Sequence, residues 1–233
     1  MKKIGIILGS GLDKFSKELK NVSLLFEDSV GIHHKRIIKG NINDKEVVVF
    51  QGRNHFYETS LLNKIYFNVN NAKELGLDLL IITNAAGGVN ANFKVADLML
   101  ITSHINLMFR NISFKKQCRA YDSSLLDYIK SIAQKNNIKL QTGVYCSLTG
   151  PAYETNAEMR MEKKFKFDAA GMSTIPEVLY LNKLGIKTVA ISCITNILNS
   201  SSENAINHSE VIEAGKTAYN NFSKLLKSII NDY

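Results

Sequence analysis

The chain has 233 residues, 45% of them hydrophobic, which is ample for one globular core, while no apolar run approaches the ~20 residues of a membrane span. Its three cysteines, Cys118, Cys146 and Cys193, are odd in number and widely separated, which argues against a disulfide framework and offers no zinc-ligand spacing. The net charge of +8 and pI near 9.3 come from scattered lysines without an aromatic-interleaved basic stripe; this reads as a solvated surface suited to a small anionic substrate rather than to nucleic acid.

Taken in chain order, the N-terminus MKKIGIILGSGL is superficially like a leader peptide. Its apolar run is only IGIIL and ends in glycine, so it reads as the first strand of a cytoplasmic protein. Further strands follow in EVVVFQGR, LDLLIITNAAGG, DLMLITSHIN, TGVYCSLTGP and KTVAISCITN, each an apolar run ending in Gly, Ser, Thr or Asn. Between them the periodicity predicts a helix over 61–75 stopped by Gly76, and one over 122–136 capped by Asp122. A third over 157–166 would be capped by Asn156, and a fourth over 176–184 would open on Pro176. Residues 209–231 put Val211, Ile212, Ala218, Phe222, Leu225, Leu226, Ile229 and Ile230 on one face of a long C-terminal helix. Residues 199–204 (NSSSEN) read as a flexible loop. The expectation is a single α/β domain over 1–233 with a central mixed β-sheet flanked by helices.

In such folds ligands gather at strand ends, so the polar tails are where chemistry belongs. GSGL (9–12) offers close backbone approach and the Ser10 hydroxyl, yet it lacks the third glycine of a dinucleotide fingerprint and the flanking glycines of a nucleophile elbow. TNAAGGVN (83–90) is a second small-residue loop, and QGRNHFYE (51–58) adds a guanidinium and an imidazole. Together they make a phosphate cradle. GPAYET (150–155) and CITN (193–196) contribute a carboxylate and a carboxamide, the groups that read a heterocycle.

The ordered set GSGL, QGRNHFYE, TNAAGGVN, DLMLITSHINL, GPAYETNAEMR, AAGMSTIPEV, ITN and NHSEV closely resembles the trimeric purine nucleoside phosphorylases, from Gly9 to the C-terminal helix. The resemblance implies that Ser10, His33, Arg53 and His55, with the backbone at Ala85 and Ser173, hold inorganic phosphate. It implies ribose contacts from Tyr57, Met172 and His208, and a purine pocket of Tyr153, Glu154, Thr195 and Asn196. The implied reaction is reversible phosphorolysis of inosine and guanosine, with Asn196, Glu154 and His55 as the catalytic groups. Phosphate is then a co-substrate, no metal or organic cofactor is needed, and the chain acts as a cytoplasmic homotrimer. Asparagine at 196 goes with 6-oxopurines in that family, whereas methylthioadenosine phosphorylases carry aspartate there.

The chain departs from the family in HINLMFRNISFKKQCRAYD, shorter by roughly ten residues where relatives carry a phenylalanine that enters the neighbouring subunit's ribose site; Phe109 and Phe114 are the candidates for it. GIHHKR replaces the usual GHxGR, with His33 favoured over His34 by its spacing to Gly52. Plainer readings stand beside these: His104 as a structural histidine, Glu154 as a helix-cap carboxylate, Met172 as core, Asn196 as a strand-turn cap. The functional alternatives are a methylthio-nucleoside phosphorylase and a nucleoside-binding protein weakened by the shortened loop.

Overall fold

The computed structural model describes residues 2–29, 34–59, 61–108, 120–198 and 208–233, with side chains from Val211 onward in the last segment. His33, Phe109, Phe114, Cys118 and the loop 199–204 lie outside the described residues, as does the side chain of His208. The strands are β1 (Ile4–Ile7), β2 (Lys20–Asp28), β3 (Lys35–Ile42), β4 (Lys45–Gln51), β5 (Leu79–Gly88), β6 (Leu98–Asn106), β7 (Leu140–Ser147), β8 (Ala169–Gly171) and β9 (Lys187–Ile197). The helices are α1 (Leu62–Ile65), α2 (Phe67–Glu74), α3 (Ser123–Lys135), α4 (Asn156–Lys164), α5 (Ile175–Leu184) and α6 (His208–Asp232), with a 3-10 helix over Asp13–Glu18. Among the described residues no helix is long and apolar enough to cross a membrane.

The strands form one mixed sheet in the order β2-β3-β4-β1-β5-β8-β7-β6-β9, and β9 returns to pair with β5, so five of the strands close into a ring. β1 lies parallel between β4 and β5, β5 runs parallel to β9, and β2, β3 and β4 form an antiparallel meander. The C-terminal ends of β1, β4, β5 and β9 therefore open on one side of the sheet.

Alternation along the strands sorts the core into two layers, because successive side chains point to opposite faces. Ile4, Ile6, Val47, Val49, Leu79 and Ile81 join the layer under α3 and α6, whereas Ile7, Val48, Phe50, Leu80 and Ile82 join the layer under α2 and α5. Helix α3 buries Leu125, Leu126, Ile129, Ile132 and Ala133. At about 1.5–3 kcal/mol for each large side chain, that packing outweighs the intrinsic helix propensity of thirteen residues. Asp122 caps it as expected, accepting from the N–H groups of Ser124 and Leu125.

Two helix expectations need correction. The single helix over 61–75 is two, broken at Tyr66. Ile65 and Tyr66, adjacent in sequence, both enter a cluster with Phe56 and Met108, and the Tyr66 ring stacks on Tyr180 at 4.2 Å, while Val69 and Ala72 face the sheet. One straight helix would not serve both directions. The second concerns α4: its cap is Thr155, not Asn156. Thr155 Oγ1 accepts from the Glu158 N–H at 3.3 Å and the Glu158 carboxylate accepts from the Thr155 N–H at 2.8 Å, a capping box. The 176–184 helix is found as α5, starting one residue earlier, and the 209–231 helix as α6, one residue longer at each end.

Strands β2, β3 and β8 were not anticipated. β2 is a largely exposed edge strand carrying Val22, Leu24 and Leu25 outward, with two irregularities in its register to β3. Helix α6 crosses the start of the chain: a Cβ at Gly215 would come within 2.8 Å of the Gly11 carbonyl oxygen, and Phe222 packs edge-on to Phe15.

Candidate active site

Where the strand ends converge there is a cavity of about 450 Å³, within the range of sites that hold a small organic ligand. Eleven of the thirteen sequence-predicted site residues line it; the exceptions are His33 and the His208 side chain, outside the described residues. His208 heads α6, and Val211 of that helix reaches the cavity wall.

One end of the cavity is built by turns that demand small residues. The Gly9 N–H donates to Thr83 Oγ1 at 2.9 Å, and that hydroxyl donates to the Ile7 carbonyl at 2.9 Å, which staples β1 to β5. A Cβ on Gly9 would stand 2.6 Å from the Asn84 Cα, so only glycine lets the Ser10 turn sit against the Asn84–Ala85 backbone. Gly52 has φ +74 and its Cβ would meet the His34 carbonyl at 2.3 Å, so the exit from β4 that delivers Arg53 also requires glycine.

Arg53 is 6% exposed at its side chain and is held on every terminal nitrogen. Nη1 donates to Ser173 Oγ and to Glu177 Oε2, both at 3.2 Å, and Nη2 donates to the Thr83 carbonyl at 2.6 Å and approaches Leu8 O at 3.5 Å. Burial pushes the Glu177 carboxyl up and the Arg53 guanidinium pulls it back. A guanidinium keeps its proton in a protein, and Glu177 Oε2 stands at ion-pair distance from it, 3.2 Å. His55 is fixed in a similar way: Glu58 Oε1 lies 2.7 Å from Nδ1 and accepts the His55 main-chain N–H at 3.0 Å. The His55 ring stacks on Tyr57 at 4.9 Å, and burial raises the Tyr57 phenol.

Ser173 and Met172 follow β8 and lead into α5. Thr174, its N-terminal flanking residue, has φ 79 and ψ −55, a strained backbone for a β-branched residue, and its hydroxyl accepts from Asn84 Nδ2 at 2.8 Å. Gly150 makes room for Met172 and Tyr57, whose atoms would lie 2.5 and 2.9 Å from a Cβ there.

The lining also includes a carboxylate, Glu154, and a carboxamide, Asn196. Glu154 lies just before the α4 cap and takes no part in the capping box, so the helix-cap reading of it fails. Burial raises its pKa. On the end of β9, Thr195 Oγ1 donates to Asn196 Oδ1 at 3.1 Å, and Asn196 Nδ2 is buried without an acceptor among the described residues. That orphan donor argues against a mere strand cap. Tyr153 lines the same cavity, 41% exposed.

Sequence reasoning passed over Asn84, which lines the cavity, and Glu58, Thr174 and Glu177, which hold His55, Asn84 and Arg53 from behind it. His34 lines the cavity and pairs with Glu27 at 3.3 Å. His104 stands apart, its Nδ1 3.1 Å from the Tyr121 hydroxyl, and burial lowers its pKa, in keeping with a structural role. Cys146 and Cys193 are buried free thiols pushed up to about 12 by burial. Among the described residues no group of three His, Cys, Asp or Glu side chains is arranged to hold a metal.

A cavity lined by Ser10, Arg53 and His55 together with Glu154 and Asn196 meets its counterpart in comparison with known proteins. The sequence profile of the phosphorylase superfamily matches residues 3–231. The chain belongs to that superfamily. Purine nucleoside phosphorylase 1 of Bacillus subtilis (strain 168) is 40% identical over 250 residues, covering 99% of this chain and 92% of that one. The crystal structure of Schistosoma mansoni purine nucleoside phosphorylase in complex with inosine is similar at a TM-score of 0.89, with 32% identity, over 100% of this chain and 90% of that one. A Schistosoma purine nucleoside phosphorylase in complex with guanosine gives a TM-score of 0.86 and 31% identity over 98% and 90%. Like these solved relatives, this superfamily member has a mixed sheet flanked by helices, as the sequence led one to expect.

Proposed function

We propose that this chain catalyses the reversible phosphorolysis of purine ribonucleosides to a free purine and ribose 1-phosphate, with inosine and guanosine as substrates. The observation that carries the reading is the pairing, within one cavity, of Arg53, Ser173 and Ser10 with Glu154 and Asn196. The relatives named above are purine nucleoside phosphorylases, two of them solved with inosine or guanosine, which supports the same substrate class.

In the forward direction the C1′–N9 bond breaks, its electron pair leaving with the purine, and a phosphate oxygen bonds to C1′. The transition state has oxocarbenium character, so an anion below the sugar and hydrogen-bond donors on the departing base both stabilise it. Ser10, Arg53, His55 and the backbone at Ala85 and Ser173 hold the phosphate, with His33 beside them. Tyr57, Met172 and His208 contact the ribose, and Tyr153 and Thr195 wall the base. Asn196 Nδ2 donates to N7 as negative charge accumulates on the purine, while the Glu154 carboxyl accepts from N1–H. Both contacts strengthen on the way to the transition state, so they raise kcat as well as affinity. Asn196 suits a 6-oxopurine, because O6 and N7 are both acceptors for an amide N–H, whereas an ionised aspartate offers them no donor.

The reaction as written needs no metal and no organic cofactor. We read the chain as a cytoplasmic homotrimer on its resemblance to trimeric members of the family; sedimentation at micromolar concentration tests the assembly. Hypoxanthine release from inosine, with and without phosphate and after chelator treatment, tests the chemistry, with methylthioadenosine as the competing substrate. Phosphate-dependent release from inosine is the expected result. Preference for methylthioadenosine would overturn the reading of the base and 5′ pockets, and release from neither would leave a binding protein.

A further inference from the structure

The phosphate-site arginine is oriented by a carboxylate that touches nothing in the cavity. Arg53 carries five N–H donors in a planar fork, and its four terminal ones face protein acceptors: Ser173 Oγ, Glu177 Oε2, and the carbonyls of Thr83 and Leu8. Only the Nε–H edge has no acceptor among the described residues. Thr83 and Leu8 hold Nη2 from the β1–β5 side, and Glu177, from the first turn of α5, holds Nη1 from the opposite side. Without Glu177 the protein's hold on Nη1 is reduced to the Ser173 hydroxyl, a rotatable and uncharged acceptor.

Stability is a poor reason to keep this pair. Both side chains are nearly excluded from solvent, 6% and 4% exposed, and buried ion pairs are commonly matched or surpassed by apolar residues of the same volume. The strained Thr174, which links this turn to Asn84, points the same way: the segment Ser173–Glu177 is shaped around the cavity at some cost to its own backbone.

We propose that Glu177 is a positioning residue of the phosphate site, clamping Arg53 so that it meets the oxyanion with a fixed edge, and balancing the guanidinium charge so that recognition rests on the direction of the donors rather than on net charge. The proposal rests on the phosphorolysis reading above. It distinguishes two substitutions. Glu177→Gln keeps an oxygen acceptor for Nη1 and removes the charge; Glu177→Asp keeps the charge and withdraws the oxygen by one methylene.

The experiment measures KM for phosphate, KM for inosine at saturating phosphate, kcat, and the phosphate-induced rise in Tm for the whole protein and both variants. The aspartate variant is expected to raise phosphate KM about tenfold to a hundredfold, as misplacement of a binding group does. The glutamine variant is expected to hold phosphate KM at or below that of the unaltered protein, and inosine KM stays within about twofold in both. A purely structural carboxylate would lower Tm and move both KM values together, and that result overturns the proposal. So does an aspartate variant with unaltered phosphate KM, or, should that variant not fold, a glutamine variant whose phosphate KM rises tenfold. An unaltered protein with neither phosphate-dependent cleavage nor a phosphate-induced Tm rise sinks the phosphorolysis reading and this assignment with it. A normal response there with unchanged variants sinks the assignment alone.

Discussion

Replacing Glu162 with glutamine should make the protein more stable, and by an amount that grows with pH. Glu162 lies on α4 with its side chain fully buried, and neither carboxyl oxygen has a hydrogen-bond partner among the described residues. Burial, with smaller contributions from Glu154 and Glu158, pushes its pKa from the ordinary 4.5 up to about 8. In the unfolded chain it ionises near the ordinary value. Between those two pKa values the folded state therefore binds the extra proton, and stability falls as pH rises. From 4.5 to pH 7 is two and a half pH units, at about 1.4 kcal/mol each, or roughly 3 kcal/mol lost, a large part of the net stability of a typical domain. Glutamine has nearly the same shape and does not titrate. Urea unfolding at pH 5, 6, 7 and 8 should show the two proteins nearly equal at pH 5, the variant ahead by about 3 kcal/mol at pH 7, and the gap levelling off above pH 8. A difference that stays flat from pH 5 to pH 8 would refute the account, since it would mean that Glu162 ionises in the fold as it does in water.

Two further predictions concern neighbouring groups. Asn196→Asp exchanges the orphan Nδ2 donor for a carboxylate facing the leaving purine, so kcat/KM for inosine should drop by about a hundredfold or more, with Tm shifted little; an unchanged rate would remove Asn196 from the mechanism. Thr155→Ala dismantles the capping box of α4 and should cost about 1–2 kcal/mol of unfolding free energy, measurable by urea titration.

Which parts of the fold were legible follows from what each residue contacts. The buried strands announce themselves because EVVVF and LDLLIIT are apolar whichever face they turn to. β2 does not, since KNVSLLFED spends Val22, Leu24 and Leu25 on solvent and pairs irregularly. The break at Tyr66 depends on Tyr180, far along the chain, and no local pattern carries it. The Thr155 cap was readable, as threonine followed three residues later by glutamate, and Asn156 drew the reading away. At the site, the groups that face the cavity sit on small-residue strand ends and stood out. Glu177, in the first turn of α5, and Glu162, within MEKK, carry no local sign of burial; each is a buried carboxylate only because of elements that arrive from elsewhere.

The contact between Gly215 and Gly11 bears on how the molecule is made. The glycine turn that receives Ser10 leaves the ribosome early, and the helix that backs it, with Val211 on the cavity wall, is translated last of the described elements. A nascent chain can assemble most of the sheet while this wall is still missing. A site bounded by Val211 is therefore incomplete until α6 docks, so a ligand that needs this wall can bind only to a nearly finished fold.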